Sequence, residues 1–174
     1  MKDAVMELVS SRPNAKVETM DVDGYFGLFG EPGLALTDAQ WVERANKHLM
    51  PNLSALNARY LEGCREERWL RMSYEPGPTA FNFRQLSGGS IAEMLDQTAT
   101  HCGSLVTGCP CPTLSMTVTI LRAGAAKSFV ATGRVLKLTR TNAVLAADLD
   151  DDADRRIATI TVVSQLITDL GRLG

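Results

Sequence analysis

The chain has 174 residues, of which 45% are hydrophobic and 22% charged, a balance that suits one globular domain with its own core. A formal net charge of -2 implies no basic face and sets nucleic acid aside as a partner. No run reaches the roughly 20 apolar residues that a membrane helix needs, so no membrane contact is expected. The stretch MKDAVMELVSSRPNAKVETMDVDG carries acidic residues where a signal peptide has an apolar core, and the expected setting is cytoplasmic.

Residues 1–36 read as an extension ahead of a domain over 37–174. A short helix is expected over 2–10. The Gly-rich DGYFGLFGEPG then gathers Tyr25, Phe26, Leu28 and Phe29. Apolar side chains in such density rarely face water, so this segment is expected to dock on the body or on a partner chain. LTDAQWVERANKHL opens on Thr37-Asp38 as a helix N-cap, and Pro51 ends or restarts that helix. ARYLEGCR and WLRMSYEP read as strands around a Glu-Glu turn, and GPTAFNFRQLSGG as a loop. From about 89 to 103, Ile91, Met94, Leu95, Thr98 (by its methyl), Ala99 and Cys102 repeat at the spacing of one helical face. GCPCP is a rigid turn.

Strand signals then run to the end. Leu114, Met116, Val118 and Ile120 alternate with Ser115, Thr117 and Thr119, and SFVATGRVLKL, AVLAADL and IATITVVSQLI follow, with RTN and DDDADR as turns. Two strands, one helix and four strands make an α+β fold, an antiparallel sheet wrapped around one long central helix behind an N-terminal helical extension.

Of the four cysteines, Cys64, Cys102, Cys109 and Cys111, reduced thiols are the simplest reading in a cytosolic chain. His101 and Cys102 precede Cys109-Pro110-Cys111, but the spacing fits no common zinc motif and only two histidines exist. No metal and no cofactor is expected.

Residues 85–121 contain no Lys or Arg, and their formal charges are Glu93 and Asp96. So charge-poor a stretch is expected in the core or in a subunit interface. A carboxylate there has no neighbour of opposite sign, and desolvation would raise its pKa. Gly89, Glu93, Asp96 and Thr100 fall on the helix side away from the apolar stripe. Ser87-Gly88-Gly89 stands at the helix start, where free N–H groups and the helix dipole suit a developing oxyanion. Gly88 and Asp96 are roughly 12 Å apart along the axis, too far for one substrate, so a two-fold dimer would have to bring them together. From the residues alone other readings stand beside this: a solvated Asp96, a Gly-Gly turn, a Thr100 that back-bonds within the helix.

SGGSIAEMLDQTA, continued by TLSMTVTILRAGAAKSFVATGRVLKLTRTNAVLAADL, resembles the phenylacetate-degradation (PaaI-like) acyl-CoA thioesterases of the hotdog superfamily over about residues 50–168. The resemblance implies a hotdog fold and hydrolysis of a fatty or aryl acyl-CoA. It also implies a homodimer with interfacial sites, sometimes a dimer of dimers. It makes Asp96 the general base or nucleophile, Gly88 the backbone donor to the thioester carbonyl with Gly89 beside it, Thr113 a hydroxyl that orients water, and Thr100 a support for the carboxylate. Arg122, Lys137 and Arg140 become candidates for the CoA phosphates. Ser87 stands where the family commonly has His, Phe81 where it has Asn or Gln with Asn82 one position on, and Ala123 where it has Pro. Those departures leave a second reading, a hotdog protein that binds acyl-CoA or a small ligand without turnover. A hotdog dehydratase would pair a His with a carboxylate on the helix, but His101 lies five residues past Asp96 on a different helical face. Tyr25, Phe29, Phe81 and Phe83 are candidates for an acyl pocket or for plain packing.

Overall fold

The computed structural model describes residues 22–169; the helix expected over 2–10 lies outside them. Four helices lead into the sheet: α1 (Val22–Phe26), α2 (Gly30–Leu34), α3 (Asp38–Lys47) and α4 (Pro51–Ala55). α3 starts on a full capping box, with Thr37 accepting from the Gln40 N–H while the Gln40 side chain accepts from the Thr37 N–H. Pro51 restarts the chain as the first residue of α4, where a missing N–H costs nothing.

Strands β1 (Arg59–Cys64) and β2 (Trp69–Tyr74) follow, then a 3-10 turn at Pro78–Ala80 and a tight hairpin of β3 (Phe81–Asn82) and β4 (Gln85–Leu86). The long helix α5 (Gly88–Thr107) comes next, then β5 (Thr113–Ile120), β6 (Phe129–Leu138), β7 (Asn142–Asp151) and β8 (Arg156–Gln165). The main sheet has the order β1-β2-β6-β7-β8-β5, every neighbouring pair antiparallel. This is the hotdog arrangement expected from the sequence, with α5 as the filling.

The apolar stripe of α5 lies against the sheet: Ile91, Met94, Leu95, Thr98, Ala99 and Cys102 are all buried. The Tyr74 hydroxyl lies 2.7 Å from Thr98 Oγ1 and donates to the Met94 carbonyl, so the hydroxyl on this apolar face is satisfied inside the core. β6 crosses α5 so closely that a Cβ on Gly133 would stand 2.7 Å from the Thr98 carbonyl oxygen. α5 runs one turn beyond the expected end, to Gly108 at φ 67, a left-handed C-cap that glycine adopts without strain.

β5 differs from the other long strands. It is the sheet edge beyond β8, and Leu114, Met116, Ile120 and the adjoining Leu121 are each about half exposed or more. The α5 half of the charge-poor stretch is therefore in the core, whereas the β5 half is uncovered within one chain.

The segment before α3 packs on the body. Leu28 and Phe29 are buried, Trp41 Nε1 donates to the Leu28 carbonyl, and the Gly30 N–H donates to the Gly108 carbonyl. Gly33 leaves no room for a side chain, since a Cβ there would meet the Leu28 carbonyl at 2.0 Å. Arg65, in the β1–β2 turn, donates to the carbonyls of Gly33, Leu36 and Leu105 and pairs with Asp38. Arg65→Leu would take a donor from three carbonyls, leaving Gly33 the Leu36 N–H, and would leave Asp38 only the backbone N–H of residue 65; it is expected to lower stability by about 3 kcal/mol. A urea titration would show this as a lower midpoint with an unchanged slope; an unshifted midpoint would contradict the role.

Candidate active site

Asp96 sits half-buried on α5, and its Oδ1 accepts a 2.7 Å hydrogen bond from the Thr113 hydroxyl at the first residue of β5. Burial raises the Asp96 pKa above the usual carboxylate value; the Thr113 hydrogen bond opposes that rise, and the negative charge of Glu93 adds to it. Glu93 itself is exposed and accepts from Asn52. The outcome is a carboxylate fixed in direction, partly dehydrated and a stronger base than an exposed one.

Asp96 and Thr113 open onto a cavity of about 510 Å³. Gln97, Thr100, His101 and Ser104 of α5 line it, together with Pro110, Cys111 and Pro112 and, from the segment ahead of the sheet, Tyr25, Phe26, Phe29 and Met50. His101 thus shares a cavity with Asp96, although the helical spacing placed it on another face. The cavity spans both faces because the N-terminal segment wraps over them. His101 Nδ1 lies 2.8 Å from the Gln97 carbonyl, an acceptor only, so Nδ1 carries the proton and Nε2 is left to accept. Burial lowers the His101 pKa to about 4, against the opposing pull of the Gln97 bond; the ring is neutral at pH 7.

Ser87 caps α5, its Oγ accepting from the Ser90 N–H. Gly88 and Gly89 are the exposed first residues of the helix, and their N–H groups take no backbone acceptor among the described residues. The Thr100 hydroxyl donates to the backbone carbonyls of Asp96 and Gln97 rather than to the carboxylate. Asn82 is exposed on the β3–β4 hairpin, while Phe81 beside it packs against the core and Phe83 stands wholly in solvent at φ 57. Arg122, Lys137 and Arg140 are all exposed. The strand register puts Arg122 just past Ile120 at one end of the sheet, and Lys137 and Arg140 at the other.

One chain therefore unites Asp96, Thr113 and Thr100, and holds Gly88, Gly89, Ser87 and Asn82 apart from them at the start of α5. Gln97, Ser104 and Cys111 were not anticipated. A signal for the first two existed, since Asp96, Gln97, Thr100, His101 and Ser104 repeat at helical spacing as a second stripe beside the apolar one. Among the described residues no three His, Cys, Asp or Glu side chains converge to hold a metal ion. No helix among them is long and apolar enough to cross a membrane.

Residues 85–158 match the family model of the Thioesterase superfamily. Among solved structures, a phenylacetic acid degradation-related protein of Ralstonia eutropha JMP134 is similar with a TM-score of 0.65 and 21% identity, over 72% of this chain and 98% of that one. The PaaI protein of the Escherichia coli phenylacetic acid degradation operon is similar with a TM-score of 0.67 and 17% identity, over 75% and 94%. A hypothetical thioesterase of Streptococcus pneumoniae TIGR4, solved with coenzyme A, is similar with a TM-score of 0.54 and 18% identity, over 56% and 80%. A search of the curated proteins finds no match.

Proposed function

Since the chain carries the hotdog fold of the PaaI-like thioesterases, we propose that it hydrolyses an acyl-CoA thioester, with Asp96 as the base and the Gly88 N–H of a second copy as the oxyanion donor. The observation that carries this reading is the Asp96 carboxylate, partly dehydrated and aimed by Thr113, at the opening of a largely apolar cavity. Asp96 takes a proton from water and the hydroxide adds to the thioester carbonyl. The oxyanion rests on the Gly88 N–H, and collapse expels the CoA thiolate, which takes up the proton from Asp96. Direct attack by Asp96, giving a mixed anhydride that water then opens, uses the same groups. The coenzyme A complex of the pneumococcal neighbour supports a CoA ester as ligand.

The exposed apolar edge of β5 supports the second copy. Two β5 strands paired antiparallel about a two-fold axis set the Ile120 end of one beside the Thr113 end of the other. Gly88 lies at the Ile120 end, because a Cβ on it would touch the Ile120 side chain at 3.5 Å. The pairing would carry Gly88 and Arg122 of one copy toward Asp96, Thr113, Lys137 and Arg140 of the other, reuniting the groups that a single chain keeps apart.

The decisive experiment is thiol release from a panel of short, medium, long and aryl acyl-CoAs, with Asp96→Asn alongside. Turnover by the parent that the variant lacks is expected; equal turnover by both would refute the mechanism. A second reading, binding without hydrolysis, is favoured by one observation: Ser87 replaces the family's His and spends its side chain on capping α5, while Asn82 faces solvent. Saturable binding with no turnover across the panel would establish it.

Thr113→Val tests the carboxylate's support. The Thr113 hydrogen bond lowers the Asp96 pKa, so its loss lets Asp96 hold its proton to higher pH. The acid limb of the kcat/KM profile should move to higher pH, with turnover near neutrality down about tenfold. A profile that overlays the parent's would show that Thr113 does not hold the working carboxylate.

A further inference from the structure

The cavity beside Asp96 is not lined by the sheet and α5 alone; Tyr25, Phe26 and Phe29 of the N-terminal segment line it too, and Tyr25 meets α5 at His101, five residues past Asp96. Tyr25, Phe26 and Phe29 meet edge to face, with ring centroids 6.2 Å (Tyr25–Phe26), 5.3 Å (Tyr25–Phe29) and 6.3 Å (Phe26–Phe29) apart. The Tyr25 hydroxyl reaches His101 Nε2 at 3.4 Å. His101 stands edge-on to Tyr60 at 5.5 Å, and Tyr60 to the buried Trp41 at 5.7 Å. Ring by ring, this wall is braced into the core. Its main chain is held too, by Trp41 on the Leu28 carbonyl, Arg44 on the Gly27 carbonyl, and the Gly30 N–H on the Gly108 carbonyl. An aromatic wall so tied does not swing aside to admit a longer guest; close-packed rings give way only at a cost in packing.

We propose that Tyr25, Phe26 and Phe29 are the end stop of the acyl site, so that the protein accepts compact acyl groups, a short chain or a single ring, and turns long chains away. This rests on the acyl-CoA reading above and adds to it a size limit set by a segment outside the residues that match the family model. The acyl carbonyl lies at Asp96 and Thr113, and the acyl group runs inward past Thr100 until it meets Tyr25 and Phe29.

The test uses S-alkyl-CoA thioethers from ethyl to hexadecyl, which have no carbonyl to hydrolyse, so binding is read whether or not the protein is a catalyst. For the parent, affinity by calorimetry should rise with chain length, reach a ceiling and then fall. Tyr25→Ala should move the ceiling to longer chains. Each newly buried methylene is worth about fourfold in affinity, so the preference for a long over a short thioether should rise at least tenfold. Tyr25→Phe separates the roles, since it keeps the ring and with it the ceiling while losing the bond to His101. Phe26→Ala, at a half-buried position, repeats the comparison should Tyr25→Ala fold poorly. Affinity that climbs through hexadecyl in the parent, or a ceiling unmoved in both alanine variants while CoA itself still binds, overturns the end stop and leaves the thioesterase reading intact. Failure of the parent to bind CoA or any thioether overturns that reading, and the end stop with it.

Discussion

Asp96→Asn is expected to reduce turnover of the best acyl-CoA by about a thousandfold. A positioned general base supplies between about a hundredfold and ten-thousandfold, and Asn keeps the shape and the Thr113 hydrogen bond while losing the basic lone pair. The same substitution should not harm the fold. Burial holds the Asp96 pKa above its unfolded value, so between those two values the native state binds the more protons and stability falls as pH rises. Above both values the group is charged in both states, and the native state bears the cost of partly dehydrating it. Asn removes that cost, so the melting temperature should stay level or rise. Thiol release and a thermal melt on the same sample check both halves. A slow enzyme that also melts early would mean that Asp96 is structural.

Gly88→Pro is expected to lower kcat by at least a hundredfold with the helix preserved. It deletes the N–H assigned to the oxyanion at a place where α5 can do without it. Gly88 is the first helical residue, where proline is favoured. Ser87 before it is extended at φ -65 and ψ 147, as a residue preceding proline must be. A Cβ there makes only ordinary contact with Ile120 at 3.5 Å. Loss of a single oxyanion donor costs about a hundredfold to a thousandfold, whereas Gly88→Ala, which retains the N–H, should lose far less. Mixing Gly88→Pro with Asp96→Asn chains after reversible unfolding provides a sharper result. If sites are shared between copies, half the dimers are mixed and each has one intact site, so about a quarter of the parent activity returns. No recovery would place both groups in one chain's own site.

The skeleton of this fold was legible because its signals are local. The six-residue stripe on α5 and the alternation in the strands follow from side-chain periodicity, and Thr37 and Pro51 mark helix ends by backbone chemistry alone. Asp96 stood out because no cation lies near it in sequence. The cavity did not, because its walls meet only in the folded chain: Tyr25 reaches His101 across 76 positions, and nothing in either neighbourhood announces the other. Thr113 was reached through family resemblance, and the bond to Asp96 spans two elements. The alternation in β5 correctly marked a strand but says nothing of what covers it; an edge strand shows the same pattern as an inner one.

Arg65 has a consequence for cooperativity. Its guanidinium reaches carbonyls in the last turn of α5, in the last turn of α2 and in the link to α3, tying the three places to one side chain. Those three places therefore cannot fray one at a time, and they open as a single unit whose free energy is shared. A guest that presses on Tyr25 and Phe29 loads that same unit, so occupancy of the cavity should be felt as slower amide hydrogen exchange around Leu105, which does not itself line the cavity.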